Sequence, residues 1–121
     1  MAYKSFEDLD VWKRACKLAV DVYVVLKDSR EFGLKDQMNR SAVSIPSNIA
    51  EGAERDSKKE FVRFLNIAKG SSGELRIQLY ICQKIGMLSP TSTSPLIKET
   101  KEISSMMQGL IKSLNKKKIN S

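Results

Sequence analysis

From Phe61 to Cys82 the chain keeps a single rhythm. Phe61, Leu65, Ala68, Ser72, Leu75, Leu79 and Cys82 recur at alternating steps of four and three. An α-helix brings such positions onto one face, and a seven-residue repeat is the mark of left-handed packing between nearly antiparallel helices. Three other segments show related spacing. Leu9, Trp12, Cys16, Ala19, Tyr23 and Leu26 share a face in the first, and Leu34, Met38, Ile45, Ile49 and Gly52 in the second, which runs from about Leu34 to Arg55. Leu96, Thr100, Ile103, Met107, Leu110 and Leu114 form the fourth stripe.

The punctuation between these segments suits helix ends. Ser5 with Asp8 and Ser57 with Glu60 have the spacing of capping boxes. Gly33 closes the breaker SREFG, Gly86 and Pro90 end the third segment, and LSPTSTSP reads as a loop. Ser94 is placed to cap the last helix, with Pro95 at its first position. No segment alternates with period two, and no Asn-Gly or Asp-Gly pair marks a hairpin. The pattern predicts an all-α fold, an antiparallel up-and-down four-helix bundle forming one domain over 1–121. A short, flexible basic tail is expected from about residue 115 to 121.

Two helices carry more apolar surface than one core needs. Val11, Leu18, Val22 and Val25 make a second stripe on the first helix, and Phe64, Ile67 and Ile81 flank the seam of the third. Exposed apolar stripes on a soluble monomer are a liability, so self-association is expected. The second helix is odd in another way, because Pro46 sits at its centre. Proline there frees the carbonyl of Ala42 and costs roughly 3 kcal/mol unless something offsets it. Gln37, Arg40, Ser44, Ser47, Asn48, Glu51 and Arg55 fall on one polar side. The third helix answers with AKGSSGE; glycines and serines in both helices would allow close backbone approach, with Gly70 and Gly73 themselves away from the core seam. The polar side chains Ser44, Ser47, Asn48, Glu51 and Glu74 either satisfy one another between closely packed helices or face a ligand or another subunit.

The net charge is +7, and the pI is near 9.5. Such an excess favours an anionic partner, with RNA or DNA foremost. Candidate contacts are Arg40, Arg55, Lys58, Lys59, Arg63 and Lys69, with Lys112, Lys116, Lys117 and Lys118 near the far end. Aromatic residues lie mostly on the core stripes, so backbone contacts of weak sequence selectivity are expected rather than base stacking. The alternative partner is a protein, for instance an enzyme to which the bundle is an accessory. The chain has no histidine, which removes imidazole triads, ligands and pH switches together. Cys16 and Cys82 are far apart on helical stripes and read as buried free thiols. Glu51 and Glu74 could meet across two helices, but a bundle metal site wants further carboxylates and histidine. No catalytic, metal or cofactor site is expected. MAYKSFEDLDVWKRA has no apolar run of signal-peptide length, and no stretch approaches a membrane span. A cytoplasmic, non-membrane protein is expected.

The run QMNRSAVSIPSNIAEGAERDSKKEFVRFLNIAKGSSGEL resembles the signature of the four-helix-bundle proteins encoded by intervening sequences within bacterial 23S rRNA genes. SIPSNIAEG and EFVRFLNIAKGSSGEL are its most recognisable parts, and the likeness extends to FEDLDVWKRA and FGLKDQ. It thins over the last helix. The resemblance implies a ring-like homopentamer with no established enzymatic activity. The family is also similar to the accessory bundle proteins of diversity-generating retroelements, which are basic, pentameric and nucleic-acid-binding.

Overall fold

The structure, a computed structural model, describes residues 5–120, with side chains through Lys116. A 3₁₀ turn at Phe6–Asp8 precedes four helices: α1 (Asp10–Leu26), α2 (Phe32–Ala53), α3 (Lys58–Lys84) and α4 (Pro90–Asn120). Among the described residues there is no strand. Helix α1 packs on α2 and α4, and α3 packs on the same two helices. The diagonal pairs α1–α3 and α2–α4 do not approach, which is the arrangement of an up-and-down four-helix bundle.

Local chemistry explains the ends, with shifts from the expected boundaries. The Ser5 hydroxyl accepts from the Glu7 amide at 3.1 Å, and the Asp8 carboxylate accepts from the Ser5 amide at 3.3 Å. This box closes only the 3₁₀ turn, because Leu9 is extended, and α1 starts one residue later. Helix α2 begins at Phe32, so Gly33 lies inside its first turn rather than ending the breaker. The Ser57 hydroxyl accepts from the Glu60 amide at 2.9 Å and starts α3 as the sequence predicts. At the other end of α3, Gly86 takes φ +75. The Met87 amide then reaches the Cys82 carbonyl at 3.0 Å, and the Gly86 amide reaches Gln83 at 3.2 Å, a Schellman cap.

Helix α4 begins a turn earlier than expected. Pro90 occupies the first position and the Ser89 hydroxyl accepts from the Ser92 amide at 3.3 Å. The same Ser-Pro logic expected of Ser94 and Pro95 acts at the preceding pair, and Pro95 falls inside the helix. The expected flexible tail lies largely outside the residues with described side chains. Asn115 and Lys116 continue α4, whose backbone runs to Asn120.

The seam of α3 is buried as its rhythm predicts: Phe61, Leu65, Ala68, Ser72, Leu75, Leu79 and Cys82 all face the interior. They meet Met38, Ala42, Ile45 and Ile49 of α2 and Ile103, Met107, Ile111 and Leu114 of α4. On α1 the buried face draws on both candidate stripes, taking Val11, Leu18 and Val22 from the second and Ala19 and Leu26 from the first, with Val25 half-buried. Val11, Ala15, Leu18, Ala19, Val22 and Leu26 are buried, while Trp12 and Cys16 are half-buried and Tyr23 is exposed. Both stripes are apolar, so hydropathy did not choose among their residues; contact with α2 and α4 did. Phe64 also belongs inside, at 6% exposed, whereas Ile67 and Ile81 stay out.

The close approach between α2 and α3 falls at Gly52 of α2, while Gly70 and Gly73 stay away from the seam as expected. A Cβ at Gly70 or Gly73 would meet nothing within 4 Å. At Gly52 it would lie 2.6 Å from the Phe64 Cβ and 3.3 Å from the Phe61 carbonyl oxygen. Those are stiff neighbours near the α2–α3 turn, so Gly52→Ala should force the helices apart. A loss of about 1–3 kcal/mol is expected in urea unfolding, and wild-type stability in this variant would refute the packing account.

Candidate nucleic-acid interface

Charge is unevenly placed. Helix α3 carries six basic residues against two acidic, and α4 six against two, while the rest of the chain carries nine against ten. The positive excess therefore belongs to one pair of adjacent helices.

Of the six candidate basic residues, Arg55, Lys58, Lys59 and Arg63 gather at the α2–α3 corner, while Arg40 and Lys69 lie apart from them. The Arg40 Nε lies 3.2 Å from Asp36, Arg55 Nη2 lies 3.0 Å from Glu51, and Arg63 Nε lies 3.0 Å from Glu60. Arg55 and Arg63 also cover the Phe64 ring at 5.0 and 4.6 Å. Arg63 holds the Glu60 carboxyl below the usual carboxylate range. Lys58 and Lys59 are exposed, but with Arg55 and Arg63 they share the α2–α3 corner with Glu51, Glu54, Asp56 and Glu60. That corner is close to neutral. Lys69 turns toward α4 and donates to the Gln108 side-chain carbonyl.

The polar stripe of α2 is largely a packing device. The hydroxyls of Ser44 and Ser71 share a hydrogen bond of 2.8 Å across α2 and α3. Asn48 donates to the Ser44 carbonyl at 2.8 Å and to its hydroxyl at 2.9 Å, so its amide bonds back onto its own helix beside the buried Pro46. Ser47 is exposed. Gln37, Arg40, Ser41, Ser44, Ser71 and Glu74 line a shallow cleft of about 250 Å³. Glu51 and Glu74 do not meet. Gly52 is level with Phe61 and Phe64, and Ser44 with Ser71, which sets the two carboxylates roughly 15 Å apart along the bundle. Glu51 is bound to Arg55, and Glu74 accepts from Gln78 at 3.4 Å.

Two polar seams escaped the sequence pattern. Between α3 and α4, the Ser72 hydroxyl donates to the Thr100 carbonyl at 3.0 Å and the Ser104 hydroxyl donates to Ser72 at 2.9 Å. Arg76 joins them, donating to Thr100 at 3.0 Å and to Ser104 at 3.2 Å, and Gln83 donates to the buried Thr93. The only sequence hint was the placing of Ser72 and Thr100 on otherwise apolar stripes. Between α1 and α4, Arg14 grips Glu99 through Nε at 2.9 Å and Nη2 at 2.5 Å, and reaches Glu102 at 3.1 Å. These carboxylates push the Arg14 pKa further up. Both acidic residues of α4 are thereby drawn to the α1 side.

The two thiols are free and lie on diagonal helices, Cys82 buried as expected and Cys16 only half-buried. Cys82 is buried with its sulfur 3.3 Å from Met38 and 3.5 Å from Met87, and burial pushes both Cys82 and Cys16 above the ordinary thiol range. Among the described residues no three His, Cys, Asp or Glu side chains gather as a metal site. No helix is long and apolar enough to cross a membrane.

If the α2–α3 polar contacts serve packing, Ser71→Ala and Asn48→Ala should each lower stability by about 1 kcal/mol. Thermal melting checks this, and the same variants should leave any nucleic-acid affinity within twofold.

With this geometry in place, the chain can be set beside known proteins. A family model described as 23S rRNA-intervening sequence protein matches residues 7–109. A crystal structure of a protein of unknown function from the S23 ribosomal protein family of Bacteroides thetaiotaomicron superposes with a TM-score of 0.80 at 24% identity, over 84% of this chain and 98% of that one. That likeness concerns the fold. No curated protein matches the sequence. With most of its length inside the family model, and an all-helical bundle in common with the S23 structure, the chain belongs to the 23S rRNA-intervening sequence protein family.

Proposed function

We propose that this chain is a non-catalytic bundle that assembles with copies of itself and binds RNA or DNA through the basic side formed by α3 and α4. The observation that carries the proposal is the charge placement: the positive excess resides on two adjacent helices, not over the whole surface. Phosphate backbones are recognised through such concentrations of lysine and arginine. The resemblance to the basic accessory proteins of diversity-generating retroelements points the same way. The non-catalytic part rests on what the side chains already do. Glu51 is tied to Arg55, Glu74 to Gln78, and both thiols are held protonated by burial.

Self-association is supported by apolar residues that the bundle leaves outside. Val20 and Val24 of α1 are 60% and 65% exposed, beside the exposed Tyr23, and Ile77 of α3 is 61% exposed, with Ile67 and Ile81 nearby. Helices α1 and α3 are diagonal in the bundle, so the two strips face away from each other. Two different strips on opposite sides suit head-to-tail contact, which closes into a ring when the rotation allows. The family resemblance implies a pentamer, and a ring would repeat the basic side and raise binding by avidity.

Light scattering should give five times the 13.6 kDa of one chain, and Val20→Asp with Ile77→Asp should reduce it to a single chain. A wild-type mass of one chain rejects the assembly. In gel shifts, affinity for RNA or DNA should fall steeply with salt, the log–log slope counting the phosphates neutralised. No shift at low salt rejects nucleic acid as the partner, and a protein partner retained after nuclease treatment would favour an accessory-subunit role instead.

A further inference from the structure

The outer face of α4 carries a row of lysines, Lys98, Lys101, Lys112 and Lys116, all exposed and without salt bridges among the described residues. At 100° per residue they fall within a narrow arc pointing away from the buried Ile103 and Met107, with Ser105 and Gly109 between them. Glu99 lies well to one side of the arc, whereas the exposed Glu102 borders it, about 40° from Lys98; both carboxylates are engaged by Arg14. By contrast Arg40, Arg55, Arg63 and Lys17 each have a carboxylate within 3.2 Å.

We infer that this lysine ridge is the contact surface for the phosphate backbone of a nucleic-acid duplex. The inference rests on the nucleic-acid part of the proposed function and gives it a place and a ligand class. A continuous helix carries the ridge, so its charges are fixed in line; Lys98 to Lys116 spans about 27 Å at 1.5 Å per residue. The lysines form two pairs, and about 16 Å separates Lys101 from Lys112. With flexible lysine stems, that gap lets one helix reach phosphates on both sides of a duplex groove of roughly 12 Å. The small Ser105 and Gly109 at the midpoint leave the helix free to lie close over the groove.

The chemistry of the ridge also argues against other nucleic-acid modes. Helix α4 has no aromatic residue, so it offers unstacked bases no platform. It has no arginine, so it lacks the fork that reads guanine edges. What remains is four point charges that neutralise phosphates without reading sequence. A shallow depression of about 370 Å³ beside Lys98, Lys101 and Ser105 is also lined by Arg14, Glu102 and Met106, so three cations there face one carboxylate that Arg14 already binds.

The test uses the full chain and fluorescence anisotropy with a duplex RNA, a duplex DNA and a single strand, each of roughly two helical turns in length, over a salt series. The variant K98Q/K101Q/K112Q/K116Q should lose roughly 100-fold or more in duplex affinity at low salt, and its log–log salt slope should shrink by about three to four. The comparison variant K13Q/K17Q/K27Q/R30Q removes the same charge from exposed positions on α1 and the turn after it. It should change affinity by less than about threefold. Both should keep the wild-type circular dichroism melt. Equal losses in the two variants, or none in the α4 variant, overturn the ridge while leaving nucleic-acid binding itself intact. Tighter binding of the single strand overturns the duplex assignment, and the two duplex arms tell RNA from DNA. A wild-type chain that binds none of the three probes rejects the proposed function, and the ridge with it. Capture of an acidic protein partner that depends on the same four lysines and survives nuclease would assign the ridge to protein instead.

Discussion

Helix α3 holds the bundle together through one uninterrupted buried seam. From Phe61 to Cys82 every position of the seven-residue repeat faces the interior, where it meets α2 on one side and α4 on the other. Burying a large apolar side chain contributes about 1.5–3 kcal/mol, so slipping the register of this seam would be expensive. The register in turn sets level Gly52 with Phe61 and Phe64, Ser44 with Ser71, and Ser72 with Thr100. Those pairings decide which polar groups can bond and which glycine must stay small.

Within that frame one of the costly local choices, Gly52, finds a direct explanation. Pro46 is buried in a helix that continues through it, and the Asn48 side chain bonds back to the Ser44 carbonyl next to it. Gly52 is small because Phe64 stands against it. Gly70 and Gly73 have open space instead, next to the exposed Ile67 and Ile77, so nothing within a single chain accounts for them. The polar seam of Ser72, Arg76, Thr100 and Ser104 sits between α3 and α4 with its hydrogen bonds satisfied. Satisfied polar groups at a helix contact add directionality that apolar packing lacks.

Electrostatics separates the two sides of the molecule by pairing rather than by composition alone. Arg14 pairs with Glu99 and Glu102 at the border of the open face of α4, while the arginines near the α2–α3 turn are matched by nearby carboxylates. A basic residue beside a carboxylate contributes little to the field at a distance, whereas unpaired lysines in a row add to one another. Glu99 and Glu102 stand next to Lys98 and Lys101 in the chain, and only the folded bundle shows that both carboxylates are taken up by Arg14 of another helix.

The amino-acid sequence determined the helices, most of their ends and the core faces of α2, α3 and α4, because periodicity and capping act within a few residues of chain. Its family signature over the middle of the chain was equally local. Tertiary structure decided what depends on residues distant in sequence: which residues of the two apolar stripes on α1 go inside, and that Gly52 lies against Phe64. It also decided which charges remain unpaired, since a salt bridge such as that of Arg14 with Glu99 joins positions that only the folded bundle brings within reach.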